Sequence, residues 1–402
     1  MKFHFNICHF YLFVILLCAL NGTLYTAGGF ISQGLQALFI LMSLYYTVYA
    51  NLKYNLPYYF KGLDILLMMF TIYGVILIVS GERLMIKTSY HETSNITYLK
   101  SIYLSLLPVF AFYVFAKKGL LTEKTIKIWF FLFLVLAIKS FFNAQERMLQ
   151  AAIERGSSEE EFTNNVAYTF IGLFPALVLF YKKPIIQYLC LAICAYFIIL
   201  GMKRGAMLIG GVCLIWFLAT NLKAVPKKRK WLVVLFSIIV LGAGLYFIRN
   251  MMENSLYFQY RIAQTQAGEM SGREDIYSRF FQHFINESTP TRLLFGNGAN
   301  ATLKIGSNYA HNDWLEIAIN QGFMGVVIYL AYWICFFVSW RKTKKHSQAY
   351  LAVGMLLIIY FISTLFSMSY NGMSRCASMV LGYYLATGCV AEEVQQDLET
   401  EK

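Results

Sequence analysis

The chain reads as an all-α, polytopic membrane protein: one bundle of about twelve spanning helices with a large loop on its outer side. Three observations carry this reading. Hydrophobic residues make up 58% of the chain and charged residues 14%, with a mean hydropathy of +0.54; a soluble globular chain carries about 25% charged residues. The apolar residues gather into runs of roughly 15–20, the length at which a helix crosses the hydrocarbon of a bilayer. Lysine and arginine cluster in some connections and avoid others, the asymmetry that sets orientation.

In chain order the apolar runs are 6–20, 30–49, 62–80, 100–116, 127–143, 165–181, 185–202, 206–220, 231–248, 322–340, 349–368 and 377–391. The fourth, eighth and twelfth are short. Met1 to Leu20 imitates a secretory signal, with Lys2 ahead of an apolar run, and is taken as a retained first span. Lys182 to Thr220 also fits a re-entrant pair. With twelve spans, Lys117, Lys118, Lys124 and Lys127 share a side with Lys182, Lys183, Lys227, Lys228, Arg229 and Lys230, and with Arg341, Lys342, Lys344 and Lys345. That side is read as cytoplasmic, with both termini on it. The opposite side holds most acids: Glu146, Glu154, Glu159, Glu160 and Glu161 in one loop, and Glu253, Glu269, Glu274, Asp275 and Glu287 in the largest. The net charge of +13 follows from this asymmetry and calls for no nucleic-acid partner.

The chain then divides into spans 1–9 over 1–248, an outer loop or cap over 249–321, and spans 10–12 with a tail over 322–402. The smaller outer loop, 144–164, has a helical pattern (Met148, Ala151, Ala152 and Ile153 among Gln and Glu) that suits a helix lying on the membrane. The eight cysteines fall in or beside apolar runs, without a Cys-x-x-Cys, and read as small buried hydrophobes.

Four places carry candidate chemistry. His311 stands where the large loop returns to the membrane, and its pKa class suits proton transfer near neutral pH. Asn312 or Asp313 caps the helix that follows, and Gly322 and Gly325 permit a break or close packing there. Lys203-Arg204-Gly205 puts two cations in a tight apolar turn; they either snorkel to lipid phosphates or capture a lipid-linked phosphate, which the planar fork of arginine suits. Ser271-Gly272-Arg273, with Arg279 beyond it, is either a capped helix start or a second cationic site. Leu294-Phe295-Gly296-Asn297-Gly298 predicts a tight turn with exposed backbone. Phosphate-loop, zinc-protease and serine-hydrolase motifs are absent, and the outer acids form no obvious metal cluster, so catalysis without metal or other cofactor is the simpler reading.

Several of these pieces together resemble the O-antigen ligase and polymerase superfamily. They are His311-Asn312 followed by Gly322-Phe323-Met324-Gly325; Phe162-Thr163-Asn164-Asn165-Val166-Ala167 leading into a span with Pro175; Lys203-Arg204-Gly205; and Ser271-Gly272-Arg273 followed by Leu294 to Gly298. The resemblance covers about residues 160–340. Lys203 replaces a serine usual in the family, and Asn320 stands where many members have glutamate. The resemblance implies a GT-C-type, inverting glycosyltransferase of the bacterial inner membrane, working at the periplasmic face without metal or ATP. Its donor would be an oligosaccharide on undecaprenyl diphosphate. Arg204 and Arg273 would hold the diphosphate and His311 would take the acceptor's proton. Lys203, Asn312, Arg279 and Asn165 would contact substrate. The acceptor is a second lipid-linked repeat for a polymerase, the favoured reading; lipid A–core for a ligase; or protein Ser or Thr for an oligosaccharyltransferase. Membrane lipids and a separate chain-length co-polymerase are the other partners implied. A transporter, the alternative of a different class, is disfavoured because no paired repeat is seen and the suspicious residues lie at one face.

Overall fold

The structure, a computed structural model, describes residues 6–388 apart from 22–27, 82–83, 87–90, 94, 155–161, 225–229, 269–272, 307 and 368. It is helical, with strands among the described residues confined to a short antiparallel hairpin, β1 (Leu84–Ile86) and β2 (His91–Thr93). The first half comprises α1 (Ile7–Ala19), α2 (Phe30–Lys53), α3 (Tyr58–Ser80), α4 (Ile96–Leu106), α5 (Pro108–Lys117) and α6 (Glu123–Glu154). Next come α7 (Ala167–Ile171), a 3₁₀ segment (Phe174–Phe180), α8 (Pro184–Leu200), α9 (Arg204–Ala224) and α10 (Lys230–Asn254). Short helices follow: α11 (Leu256–Gln266), α12 (Arg273–Gln282), a π-helical turn (His283–Glu287), α13 (Pro290–Phe295) and α14 (Ala301–Gly306). The chain closes with α15 (Asp313–Lys342), α16 (Gln348–Ser363) and α17 (Arg375–Gly388).

Among the described residues each of the twelve apolar runs falls mostly on helix. Seven stretches among the described residues are long and apolar enough to cross a membrane: α2, α3, α4 continued by α5, most of α6, most of α9, α10 and α15. The chain is a multi-pass membrane protein. The other runs make shorter helices: 13 residues in α1, and in the run 165–181 only the five of α7 and the seven of the 3₁₀ segment. Pro108 opens α5, where its missing N–H costs nothing. Residues 144–154, expected as a separate surface helix, instead continue α6 without a break, because nothing from Ala144 to Glu154 is a helix breaker. Residues 155–161, with Glu159 to Glu161, lie outside the described residues, as do Lys227 to Arg229 and Cys389. The seven other cysteines are all unbonded thiols, five of them buried.

Two helix pairs set the frame. α5 is buried on every side, and α17 lies against it so closely that a Cβ on Gly382 would stand 2.7 Å from the carbonyl oxygen of Val109. α3 and α15 run antiparallel. Tyr59 donates its N–H to Ser339 at 2.7 Å, and a Cβ on Gly62 would meet Cys335 at 2.8 Å. Small residues at such contacts let helix backbones approach where lipid offers no hydrophobic drive.

Candidate active site

α15 is two helices. Gly322 sits at φ 70°, ψ −166°, a conformation essentially reserved for glycine, and the helix breaks there. The break is a fold-back. Tyr329 donates its hydroxyl to Asp313 at 2.6 Å, and the rings of Trp314 and Tyr329 are 5.1 Å apart. In a straight helix Asp313 and Tyr329 would be about 24 Å apart along the axis. A Cβ on Gly325 would likewise meet Ile317 at 3.0 Å, so this glycine admits the returning half. Both readings of the Gly322–Gly325 pair therefore apply: a break at one and close packing at the other.

The fold-back frees carbonyls, and the Leu294–Gly298 turn satisfies them. A continuous helix would bond the carbonyls of Ile319 and Asn320 to the N–H groups of Phe323 and Met324. Here Asn297 and Gly298 donate their N–H groups to them, each at 2.9 Å. Gly296, also at positive φ, leaves no room for a side chain: a Cβ would stand 2.3 Å from the Asn320 oxygen. The turn is tight, as expected, but its backbone is spent on α15 and does not face a ligand.

His311 precedes the returning half and is in the left-handed region at φ 54°. Its neighbours are pinned on both sides. Ala310 donates its N–H to Glu316 at 2.7 Å, and Asp313 donates its N–H to Thr364 at 2.8 Å. Glu316, fully buried, also accepts from Thr302 at 2.5 Å and Asn320 at 2.9 Å. A carboxylate is thus present one turn before position 320. Asn312 is the N-cap, accepting from Leu315 at 3.1 Å, and its amide donates to the Leu365 carbonyl at 3.1 Å. Asp313 turns inward, accepting from the backbone of Ser369 and Tyr370.

Around His311 the structure gathers cations from three segments. Burial, then Arg273 of α12, then Lys203 of the α8–α9 turn push the imidazole pKa below its ordinary value. Lys203 is pushed down in turn by burial, then by Arg261 of α11 and by Arg273. Among the described residues no carboxylate is a cause of either shift. Tyr277, one turn after Arg273 on the same face of α12, reaches the carbonyls of His311 at 3.3 Å and Leu365 at 3.4 Å. Burial raises its pKa, and Arg273 and Asn312 lower it in part. Positive charge thus gathers beside an imidazole whose pKa is depressed, the pattern that suits a functional site.

The other expected residues divide. Arg204 donates to Thr265 of α11 at 3.2 Å, so Lys203 is the cation of that pair that acts on His311. Gly205 is obligatory packing: a Cβ there would meet the Tyr168 hydroxyl at 2.5 Å and Phe366 at 2.8 Å. Arg279 is exposed, six residues after Arg273 and on another face of α12. Asn165 is exposed, whereas Asn164 is buried and ties its loop to α6 and the α8–α9 turn through Phe141 at 3.0 Å and Gly201 at 2.8 Å. Ser271 and Gly272 lie outside the described residues. Sequence reasoning missed Arg261, Tyr277 and Glu316. Tyr277 was legible as the i+4 neighbour of Arg273; Arg261 has no local signal.

α8 has 17 residues and α16 has 16; Lys203 follows the first, and Thr364, which accepts the Asp313 N–H, follows the second. At 1.5 Å per residue the two helices are about 24–26 Å long, short of a ~30 Å hydrocarbon layer. Among the described residues no three His, Cys, Asp or Glu side chains are placed to share a metal ion.

These features define a multi-pass helical membrane protein in which Lys203 and Arg273 bear on the His311 imidazole. Residues 189–330 match the family model Wzy_C, described as O-antigen ligase. The match includes Lys203, Arg204, Arg273 and His311, and supports the resemblance to the O-antigen ligase and polymerase superfamily drawn from the motifs. Asn165 lies outside it. No curated protein matches the chain.

Proposed function

We propose that the protein is a surface-polysaccharide polymerase of the bacterial inner membrane. It would transfer a glycan from undecaprenyl diphosphate to a hydroxyl of a second lipid-linked repeat. The observation that carries this reading is that Arg273 and Lys203 both act on His311, while Arg261 and Arg273 act on Lys203. In the proposed step the acceptor oxygen bonds to the anomeric carbon as the bond from that carbon to the phosphate oxygen breaks. The bonding pair leaves with the diphosphate, and the hydroxyl proton passes to His311. One displacement inverts the anomeric centre. Arg273 and Lys203, with Arg204 and Arg261 beside them, hold the phosphates as they gain charge, in a site too dry to screen them. Neutral His311 is the competent base, and its depressed pKa keeps it so. Asn312 and Tyr277 fix the His311 backbone; Arg279 and Asn165, both exposed, are assigned to the sugar chain.

Around this centre we place twelve spans of GT-C type, both termini in the cytoplasm and the His311 end facing the periplasm. The large loop, 249–321, forms the cap, and a chain-length co-polymerase is the expected partner. The family model's own description favours one second reading, ligation to lipid A–core, through the same chemistry at His311.

Glycan laddering tests both in a deletion strain carrying wild-type or His311→Ala protein, with lipid-linked and core-linked fractions run separately. Single repeats on core in the mutant establish a polymerase. Bare core with accumulated lipid-linked polymer establishes a ligase. An unchanged ladder removes His311 from the mechanism.

A further inference from the structure

Part of the presumed aqueous cap lies at the wrong height for water. We propose that α13 and the Gly296-Asn297-Gly298 corner are embedded in the bilayer leaflet at the His311 end, in contact with phospholipid acyl chains.

The height follows from the α3–α15 register. Tyr59 and Gly62 pair with Ser339 and Cys335 near the lysine-rich end, so later residues of α3 pair with earlier ones of α15. Further up, the Tyr73 hydroxyl donates to the Phe295 carbonyl. Helical side chains lean toward the N-terminus, so this contact is no higher than Tyr73 itself. From Tyr73, α3 climbs seven more residues to Ser80, about 10 Å. That last stretch is lipid-facing: Val75, Ile76, Ile78 and Val79 are all exposed, Val79 by 80%. The apolar layer therefore rises above the level at which α13 ends.

The C-terminal end of α13 fits that layer, and the exposed Arg292 before it is long enough to snorkel to the headgroups. Leu294 and Phe295 are exposed, Phe295 by 51%. A Cβ on Gly322 would stand 2.5 Å from the Leu294 oxygen and 2.4 Å from the Gly296 nitrogen. α13 thereby adjoins the exposed stripe of α15: Phe323, Met324, Val327, Leu330, Ile334 and Phe337. It fills the site-end corner between two lipid-facing stripes and continues both. The backbone at the corner is spoken for by α15, as irregular backbone at membrane depth must be.

Benzoylphenylalanine placed at Phe295 in the full-length protein tests this. The protein is reconstituted in vesicles of phosphatidylethanolamine and phosphatidylglycerol, irradiated, and its peptides weighed. Position 323 is the lipid-facing reference and position 266, exposed on α11, the aqueous one. Phospholipid adducts at 295 and 323, and none at 266, are expected. A second label at Leu294 guards against local misfolding at 295 and should react alike. No adduct at 294 or 295 while 323 reacts overturns the proposal. A cross-link to another copy of the chain reassigns the surface to a protein interface. Loss of the phospholipid adduct on adding undecaprenyl phosphate reassigns it to the isoprenoid. Either result also overturns the proposal as stated.

Discussion

His311 occupies a backbone conformation that few non-glycine residues adopt. It is held there because Glu316 and Thr364 take the N–H groups of Ala310 and Asp313. Removing that support should cost more than removing a surface acid. Glu316→Ala strands the Ala310 N–H, the Thr302 hydroxyl and the Asn320 amide in a buried site, a loss of about 3 kcal/mol or more. Glu316→Gln keeps an acceptor and should lose less, which thermal melts of the two purified variants compare. The electrostatics predict a pH effect. As a base, His311 works when neutral, and Lys203 helps to keep it neutral. Lys203→Met removes that cation, so the imidazole pKa rises toward its ordinary value of 6.5. The acid limb of the kcat/KM profile should then move to higher pH. A limb that stays in place would disconnect Lys203 from His311. Arg273→Lys retains charge but loses the planar fork, and should lower kcat roughly 10²-fold if Arg273 bonds the leaving diphosphate. Wild-type turnover in that variant would remove the clamp.

Element by element, the fold-back of α15 is the decisive feature, and two glycines make it possible. At Gly296 and Gly322 an added Cβ would strike backbone, at 2.3 Å and 2.4 Å, and both are at positive φ. Gly296→Ala and Gly322→Ala should each prevent the two halves from closing and deplete the folded protein. Gly298 shares the positive φ, but a Cβ there meets nothing within 4 Å. Gly298→Ala should cost only the backbone strain, about 1–3 kcal/mol. Monodispersity and melting temperature of the three variants in detergent distinguish these outcomes. Equal behaviour of Gly298→Ala and Gly322→Ala would show that the Gly296–Gly322 contact is not what closes the fold-back. In sequence the two glycine motifs read as separate pieces, a loop turn and a span start. Their 2.9 Å bonds make them one joint.

For the whole molecule the proposed orientation predicts where reporters work. Alkaline phosphatase fused after Asn286 should be active, and fused after Gly119 or Lys344 inactive; the reverse pattern would put His311 in the cytoplasm and exclude a periplasmic reaction. Sequence alone determined the membrane class, the place of the apolar runs, and a family resemblance that the match over residues 189–330 supports. Those properties rest on hydropathy, helical period and local motifs, which act over a turn or a span. It did not determine which member of each segment serves which end. Lys203 faces His311 while Arg204 reaches Thr265, Asn164 is buried while Asn165 is exposed, and Arg279 turns away from Arg273. A one-residue step turns a helical side chain by about 100°, and only packing decides which direction is inward. The tertiary structure likewise decided the fold-back beside the site. A linear pattern records how long each apolar run is, but whether the chain after His311 runs straight or folds back on itself depends on a glycine contact between residues far apart in sequence.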